Sequence, residues 1–236
     1  MTQRVIEITS PCFLAPERLE PGISWAEVFG NDHPVALEIG CGTGHFIVER
    51  ATQQPQTNFI AIDIYNKGCW KTCKKVDAAG LTNVRVIRTE ALYLLEKSFP
   101  PQQLAAIYIN CPDPWPKKRH RKRRLVNHAF LQSVLVRLSP GGDFYFSTDV
   151  ADYAREVAAL LAENPGFINQ HDRQIVHHLP GYPSSKYMQR FQAEGQPIFF
   201  QHQQKDPAFA LPAPINAEQS GARRGFRSRW PRAHNA

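Results

Sequence analysis

Four acidic side chains and three glycines are spaced so that one small ligand could touch them all. Glu38-Ile-Gly40-Cys-Gly42-Thr-Gly44 follows the apolar run Val35-Ala-Leu-Glu-Ile39, where a strand should end and a helix begin. Glycines at every second position allow a tight turn and let backbone approach a ligand closely. Dinucleotide-binding turns need G-x-G-x-x-G, but His45 stands where the third glycine should be. A diphosphate also wants amide donors without a neighbouring negative charge, whereas Glu38 supplies a carboxylate suited to a ligand bearing an ammonium. Asp63 closes the next apolar run, nineteen residues after Gly44, where an acid can accept both hydroxyls of a ribose. Glu90 stands just past the third run, placed to meet the edge of a purine. The fourth acid, Asp113, is held between Pro112 and Pro114, which keep its backbone extended. A carboxylate held this way can accept hydrogen bonds from guanine N1–H and N2–H₂. It could also stabilise positive charge developing on a ring methylated at N7, a reaction that requires alignment rather than a strong base.

Charge points to the partner. The formal net charge is +7, and the run Lys117 to Arg124, KKRHRKRR, holds seven cations and one histidine. Arg223, Arg224, Arg227, Arg229 and Arg232 add five more; without these twelve, sixteen Lys and Arg face 21 acids. A mildly acidic body with two concentrated basic segments fits a polyanion such as RNA, whose phosphates the cations would grip. Trp115 is read equally well as a platform for a base or as a residue packed under its loop.

The elements that must position these groups follow from periodicity. Residues 1–34 read as an irregular lead-in with one short helix near Trp25 to Phe29. Strands are expected at Val35–Ile39, Asn58–Ile64, Val84–Ile87, Leu104–Ile109 and Phe144–Thr148, with a late strand over Pro197–Gln204. Helices are expected over Lys67–Ala79, Ala91–Lys97, Leu125–Leu138 (closed by Pro140-Gly141-Gly142) and Asp152–Glu163. Apolar strands separated by helices make a parallel sheet buried on both faces, a doubly wound α/β domain with ligands at the strand carboxyl ends. That domain is expected over 35–205, and residues 206–236 read as a disordered basic tail. The chain lacks a run of roughly 20 apolar residues and a signal-peptide pattern, so no membrane partner and a cytoplasmic address are expected. Five scattered cysteines make no disulfide framework; Cys69 and Cys73 lack metal-site spacing, so no metal is expected.

The E-x-G-x-G-x-G turn with Asp63 behind it resembles the class I methyltransferases. That resemblance implies a seven-stranded, mostly parallel sheet with its last strand antiparallel. It implies S-adenosyl-L-methionine as methyl donor and S-adenosyl-L-homocysteine as product, held by Glu38, Gly40, Gly42, Gly44, Asp63, Glu90 and Asp113. Pro112-Asp-Pro-Trp-Pro-Lys-Lys-Arg-His-Arg-Lys-Arg-Arg124 resembles the signature of the tRNA (guanine-N7-)-methyltransferases. By that resemblance Asp113 is the catalytic residue and Lys117 contacts tRNA, with the guanosine in the variable loop. Ser147-Thr-Asp149 resembles the family's T-D, whose acid binds substrate. The segment Tyr182 to Phe191, followed by Glu194-Gly195-Gln-Pro-Ile198, resembles a late T-x-Y-E-x-K-F…G-x-x-I block, which makes Ser185 and Lys186 substrate residues. Ser185 replaces the usual threonine there, and Met188 the usual glutamate. Glu90 stands for the usual Asp or Asn, and Asn110-Cys111 is less typical than a Phe before the PDPW.

Two other readings stay open on the residues. One is a methyltransferase acting on another RNA base; the adenine-N6 loop needs contiguous N-P-P-Y, and two inserted residues break that pattern here. The other is a weak or inactive methyltransferase fold kept for RNA binding. No motif sets the oligomeric state, for which monomer or homodimer is expected.

Overall fold

In the computed structural model, which describes residues 6–19 and 23–210, a seven-stranded sheet runs through the centre of the molecule. The strands are β1 (Val35–Ile39), β2 (Asn58–Asp63), β3 (Val84–Arg88), β4 (Leu104–Asn110), β5 (Leu138–Thr148), β6 (Phe167–Asn169) and β7 (Phe199–Lys205). Their spatial order is β3-β2-β1-β4-β5-β7-β6. Strands β3, β2, β1, β4 and β5 pair in parallel, while β7 runs antiparallel to both β5 and β6. The doubly wound α/β sheet with an antiparallel last strand is therefore as expected. The chain order reverses at β1, between β2 and β4, and such a switch point opens a crevice at the strand carboxyl ends.

Seven α-helices lie among the described residues: α1 (Trp25–Phe29), α2 (His45–Gln53), α3 (Asn66–Ala78), α4 (Ala91–Ser98), α5 (His128–Arg137), α6 (Ala151–Ala162) and α7 (Lys186–Ala193). On one face of the sheet, Phe46 and Ile47 of α2 and Cys69, Cys73 and Val76 of α3 form a core with Ala36, Ala61 and Tyr108. On the other, α4, α5 and α6 bury Leu94, Phe130, Leu131, Tyr153 and Val157 against Leu37, Ile60, Ile107 and Phe146. The alternation of strand side chains between the two clusters is the period of two that a two-sided sheet imposes.

Residues 12–14 of the lead-in are tied down. Leu14 N–H donates to Val86 O and Val86 N–H to Cys12 O, so residues 12–14 cover the outer edge of β3. Such cover removes an open strand edge that could pair with another chain. Trp25 is buried, stacks on Phe99 and donates its indole N–H to Ser98 O at 3.0 Å.

Three expectations need correction. The fifth helix begins at His128 rather than Leu125, because Asn127 Oδ1 accepts the Phe130 N–H and caps it there. The fifth strand begins at Leu138 rather than Phe144. Pro140-Gly141-Gly142 lies inside it as a register shift between Leu104 and Ala106, not as a turn before it. The three-residue β6 was absent from the expected elements; it is too short for a period and is held by pairing to β7. The basic tail falls from residue 211 onward outside the described residues. Before it, Phe209 packs against the core, with Asp206 N–H donating to Gly166 O.

Candidate active site

A cleft of about 650 Å³ opens at the carboxyl ends of β1, β2, β3 and β4. Glu38, Gly40, Gly42, Asp63, Glu90, Asp113, Ser185 and Lys186 all line it. Three others stand elsewhere. Gly44 lies behind the turn, where its α-carbon faces Thr72. Lys117 is exposed on the loop after β4, and Asp149, half-buried just past β5, is not among the lining residues.

The glycine turn is built on positive φ angles: +81° at Gly40, +55° at Gly42 and +78° at Gly44. At Gly44 a β-carbon would also come within 2.9 Å of Thr72 backbone, so this position combines backbone strain with a clash. The sequence reading passed over Gly68. A β-carbon there would stand 2.6 Å from Gly42 O, so α3 reaches the turn only because Gly68 has no side chain. The signal for it was a lone glycine inside a helical pattern.

Asp63 braces the turn. Its Oδ2 accepts the Gly42 N–H and its Oδ1 the Tyr65 N–H, both at 2.8 Å. Burial raises its pKa; the backbone donors oppose that shift, and the nearby Asp113 carboxylate adds to it. Each carboxylate oxygen keeps a second lone pair that can accept a ligand hydroxyl. Glu90 is exposed at the N-cap of α4, with no capping bond to its side chain.

Glu38 is 1% exposed. Its Oε1 accepts from Asn110 Nδ2 at 3.4 Å, while Oε2 is buried without a partner among the described residues. Burial pushes its pKa up to about 8, against the opposing Asn110 hydrogen bond. A buried carboxylate oxygen left unpaired is costly, and this one borders the cleft. An ammonium is the partner that would satisfy it, and four carboxylates around one cleft favour a cationic ligand over a diphosphate. The cavity, the glycine turn and the orphaned oxygen fit the aminoacyl end of a sulfonium donor.

Asn110 is a junction that its place in the sequence does not reveal. Its Oδ1 accepts from Ser147 Oγ at 3.1 Å and from Tyr182 OH at 2.8 Å. Thus β4, β5 and the segment before α7 converge on the amide that meets Glu38. Tyr182 opens the late motif, but a partner 72 residues distant gives no local signal.

The loop after β4 is strained and anchored. Cys111 and Trp115 have φ of +46° and +42° on either side of Pro112-Asp113-Pro114, a conformation that costs non-glycine residues about 1–3 kcal/mol each. Arg124 holds the loop in place. It is buried, donates Nε–H to Pro114 O at 2.9 Å, bonds both Asp152 and Glu156 of α6, and lies over the Tyr153 ring. Arg121 also pairs with Asp152, at 3.0 Å. The expectation that this whole run grips phosphate is therefore corrected: Arg124 is committed to the fold, whereas Lys117, Lys118, Arg119 and Lys122 are exposed and, among the described residues, without an ion pair. Trp115 lines the cleft with Arg123 over its ring at 4.9 Å and His120 at its edge.

At the late motif, Ser185 caps α7 by accepting the Met188 N–H at 3.3 Å. Met188 is buried with Leu179, Ile198 and Phe200 and is not among the residues that line the cleft. A glutamate's absence here is thus matched by an apolar core built around the methionine.

A family model described as "Putative methyltransferase" matches residues 32–201. Among solved structures, the 16S rRNA methyltransferase KamB is similar in fold, with a TM-score of 0.58 at 18% identity, covering 78% of this chain and 95% of that one. The tRNA (guanine-N(7)-)-methyltransferase of Syntrophotalea carbinolica is 52% identical over 234 residues, 98% of each chain. That of Geobacter metallireducens is 52% identical over 205 residues, 86% of this chain and 97% of its own. With its glycine turn, its proline-braced aspartate and this likeness over nearly its whole length, the chain belongs to the tRNA (guanine-N7-)-methyltransferase family.

Proposed function

We propose that the chain transfers a methyl group from S-adenosyl-L-methionine to N7 of a guanine in tRNA, the variable-loop guanosine. The observation that carries this reading is the meeting of Asp113 with Glu38, Asp63 and Glu90 in one cleft beneath an exposed basic loop. When bound, the donor supplies an electrophilic methyl group on a sulfonium centre.

The roles of the residues follow from their chemistry. Glu38 Oε2 receives the donor's ammonium, the backbone of Gly40 and Gly42 lets the donor lie close, and Gly44 shapes the turn from behind. Asp63 accepts from the ribose hydroxyls and Glu90 from the adenine edge. Asp113, held extended by its prolines, accepts from guanine N1–H and N2–H₂ and so presents N7 to the methyl. Guanine N7 has no proton to lose, so alignment and carboxylate stabilisation of the cationic product suffice. Lys117 meets tRNA phosphate, and Asp149, Ser185 and Lys186 complete the substrate side. Ser185 keeps a hydroxyl proton to donate, because its oxygen acts as acceptor in the cap. The arginines of 221–236 add phosphate contacts, and the site of action is the cytoplasm.

Purified protein incubated with unmodified tRNA and methyl-labelled donor should yield 7-methylguanosine at the variable loop. N6-methyladenosine, or no transfer by protein that binds the donor, would sink the reading.

A further inference from the structure

Outside the basic loop, the described surface holds a second concentration of positive charge that no motif singled out. Lys67, Lys71, Lys74 and Lys75 all belong to α3, at positions that a 3.6-residue turn brings to neighbouring sides of the helix. The same helix buries Cys69, Thr72, Cys73 and Val76, so the lysines take the outward surface; Lys67, Lys71 and Lys74 are exposed and Lys75 half-buried. Among the described residues, none of the four pairs with a carboxylate. Lys74 lies instead over the Trp70 ring at 4.7 Å. Lys75 reaches His45 Nε2 at 2.7 Å. An ammonium can only donate, so His45 carries its proton on Nδ1 and directs it to Thr43 Oγ1, 3.0 Å away.

Lys186, at the first position of α7, adds to this group. Burial and then the charges of Lys186 and Lys71 hold the Lys75 ammonium below its ordinary pKa, and burial and then the charges of Lys75 and Lys186 lower that of His45. Like charges are therefore gathered at a cost, and among the described residues no carboxylate pairs with any of these lysines to relieve it. An anion drawn from outside would relieve it.

The placement decides which anion. His45 and Lys186 line the cleft, so the lysine surface begins at its rim and extends along α3. It sits on the sheet face covered by α2 and α3. The basic loop is anchored through Arg124 to α6, on the opposite face. A ligand touching both surfaces must pass over the cleft mouth and be charged along its length.

We propose that Lys67, Lys71, Lys74, Lys75 and Lys186 form a second phosphate-binding surface for the tRNA backbone, so that the RNA is held from both sides of the cleft. The proposal rests on tRNA being the substrate. Lysines suit it, because they act as point charges toward phosphate and read no sequence. The basic loop then sets one side of the register and α3 the other, with the target guanosine between them.

The test compares wild-type protein with Lys67→Gln/Lys71→Gln/Lys74→Gln and with the matching triple arginine variant. Binding to unmodified tRNA is measured across a salt series, with calorimetry of S-adenosylhomocysteine as the control for folding. The glutamine variant should flatten the slope of log K against log salt by about 2–3, at roughly 0.7–0.9 per lost contact. Its KM for tRNA should rise, its affinity for S-adenosylhomocysteine should not change, and the arginine variant should restore the slope. If wild-type protein methylates tRNA but the glutamine variant keeps the full slope and KM, the lysine surface is not a phosphate site. If wild-type protein neither binds nor methylates tRNA, the functional reading itself fails and this inference with it.

Discussion

Tyr182 OH donates to Asn110 Oδ1 at 2.8 Å, and the amide of the same Asn110 donates to Glu38 Oε1 at 3.4 Å. A residue of the late, substrate-side segment is thereby linked through one side chain to the buried acid of the cofactor turn. Tyr182→Phe removes the first bond and keeps the ring that packs on Phe46 and Tyr145. Loss of this bond costs about 0.5–1.5 kcal/mol, because Asn110 Oδ1 keeps the Ser147 hydroxyl as a donor. Calorimetry should show weaker donor binding, with the loss reversed in no variant lacking the hydroxyl.

Glu38 gives donor binding a pH dependence. Its pKa in the folded, empty protein is about 8 because it is buried, so at neutral pH it holds a proton. Binding an ammonium favours the carboxylate, so a proton should leave and affinity should rise from about pH 6 to about 7.5, below the range of roughly 7.7–8.0 where an α-ammonium itself titrates. Calorimetry in buffers of different ionisation enthalpy would measure the released proton, and Glu38→Gln should abolish it. The sign for stability is opposite. Between about 4.5 and about 8 the unfolded chain loses a proton that the folded chain keeps, so the empty protein should lose stability as pH rises through that window. In Glu38→Gln this contribution should vanish.

Asp113 should separate catalysis from donor binding. Asp113→Ala should lower kcat by at least about a hundredfold, the scale of losing one positioned electrostatic stabiliser. Binding of S-adenosylhomocysteine should survive. Unchanged turnover would remove Asp113 from the role proposed for it.

The basic run should divide into two kinds of residue. Arg124→Ala should destabilise the fold by about 2–3 kcal/mol, below the usual range for a buried pair because Asp152 and Glu156 reach solvent. Arg124→Lys should also fail, since a lysine cannot make the forked contacts to Pro114 O, Asp152 and Glu156. Lys118→Ala should leave the melting temperature unchanged and weaken tRNA binding. Thermal unfolding and filter binding on the same preparations would check both.

The glycine turn should be graded by space. Gly40→Ala meets nothing within 4 Å and bears only the positive φ, worth about 1–2 kcal/mol. Gly44→Ala adds the approach to Thr72 and should cost about 1–3 kcal/mol more. Equal melting temperatures for the two variants would contradict this.

The parts of this protein that lie close together in the chain could be read from the sequence alone. The alternating glycines, an acid at or just past the end of each of the first three strands, and Asp113 between its prolines needed only local spacing, because turn chemistry and strand ends are local events. The doubly wound sheet followed from apolar runs separated by amphipathic ones. Burial and long-range pairing could not be read that way. Seven cations in one run look alike until the packing of α6 buries Arg124 and leaves Lys117 and Lys118 exposed. Met188 stands at a position where the motif led one to expect a carboxylate, and only the packing of Leu179, Ile198 and Phe200 around it explains the methionine. Asn110 and Tyr182 meet across 72 residues, and α3 brings its lysines to the rim where Lys186 arrives from α7. Those meetings are set by how the helices and strands stack, and the free energy of that stacking depends on the whole chain at once.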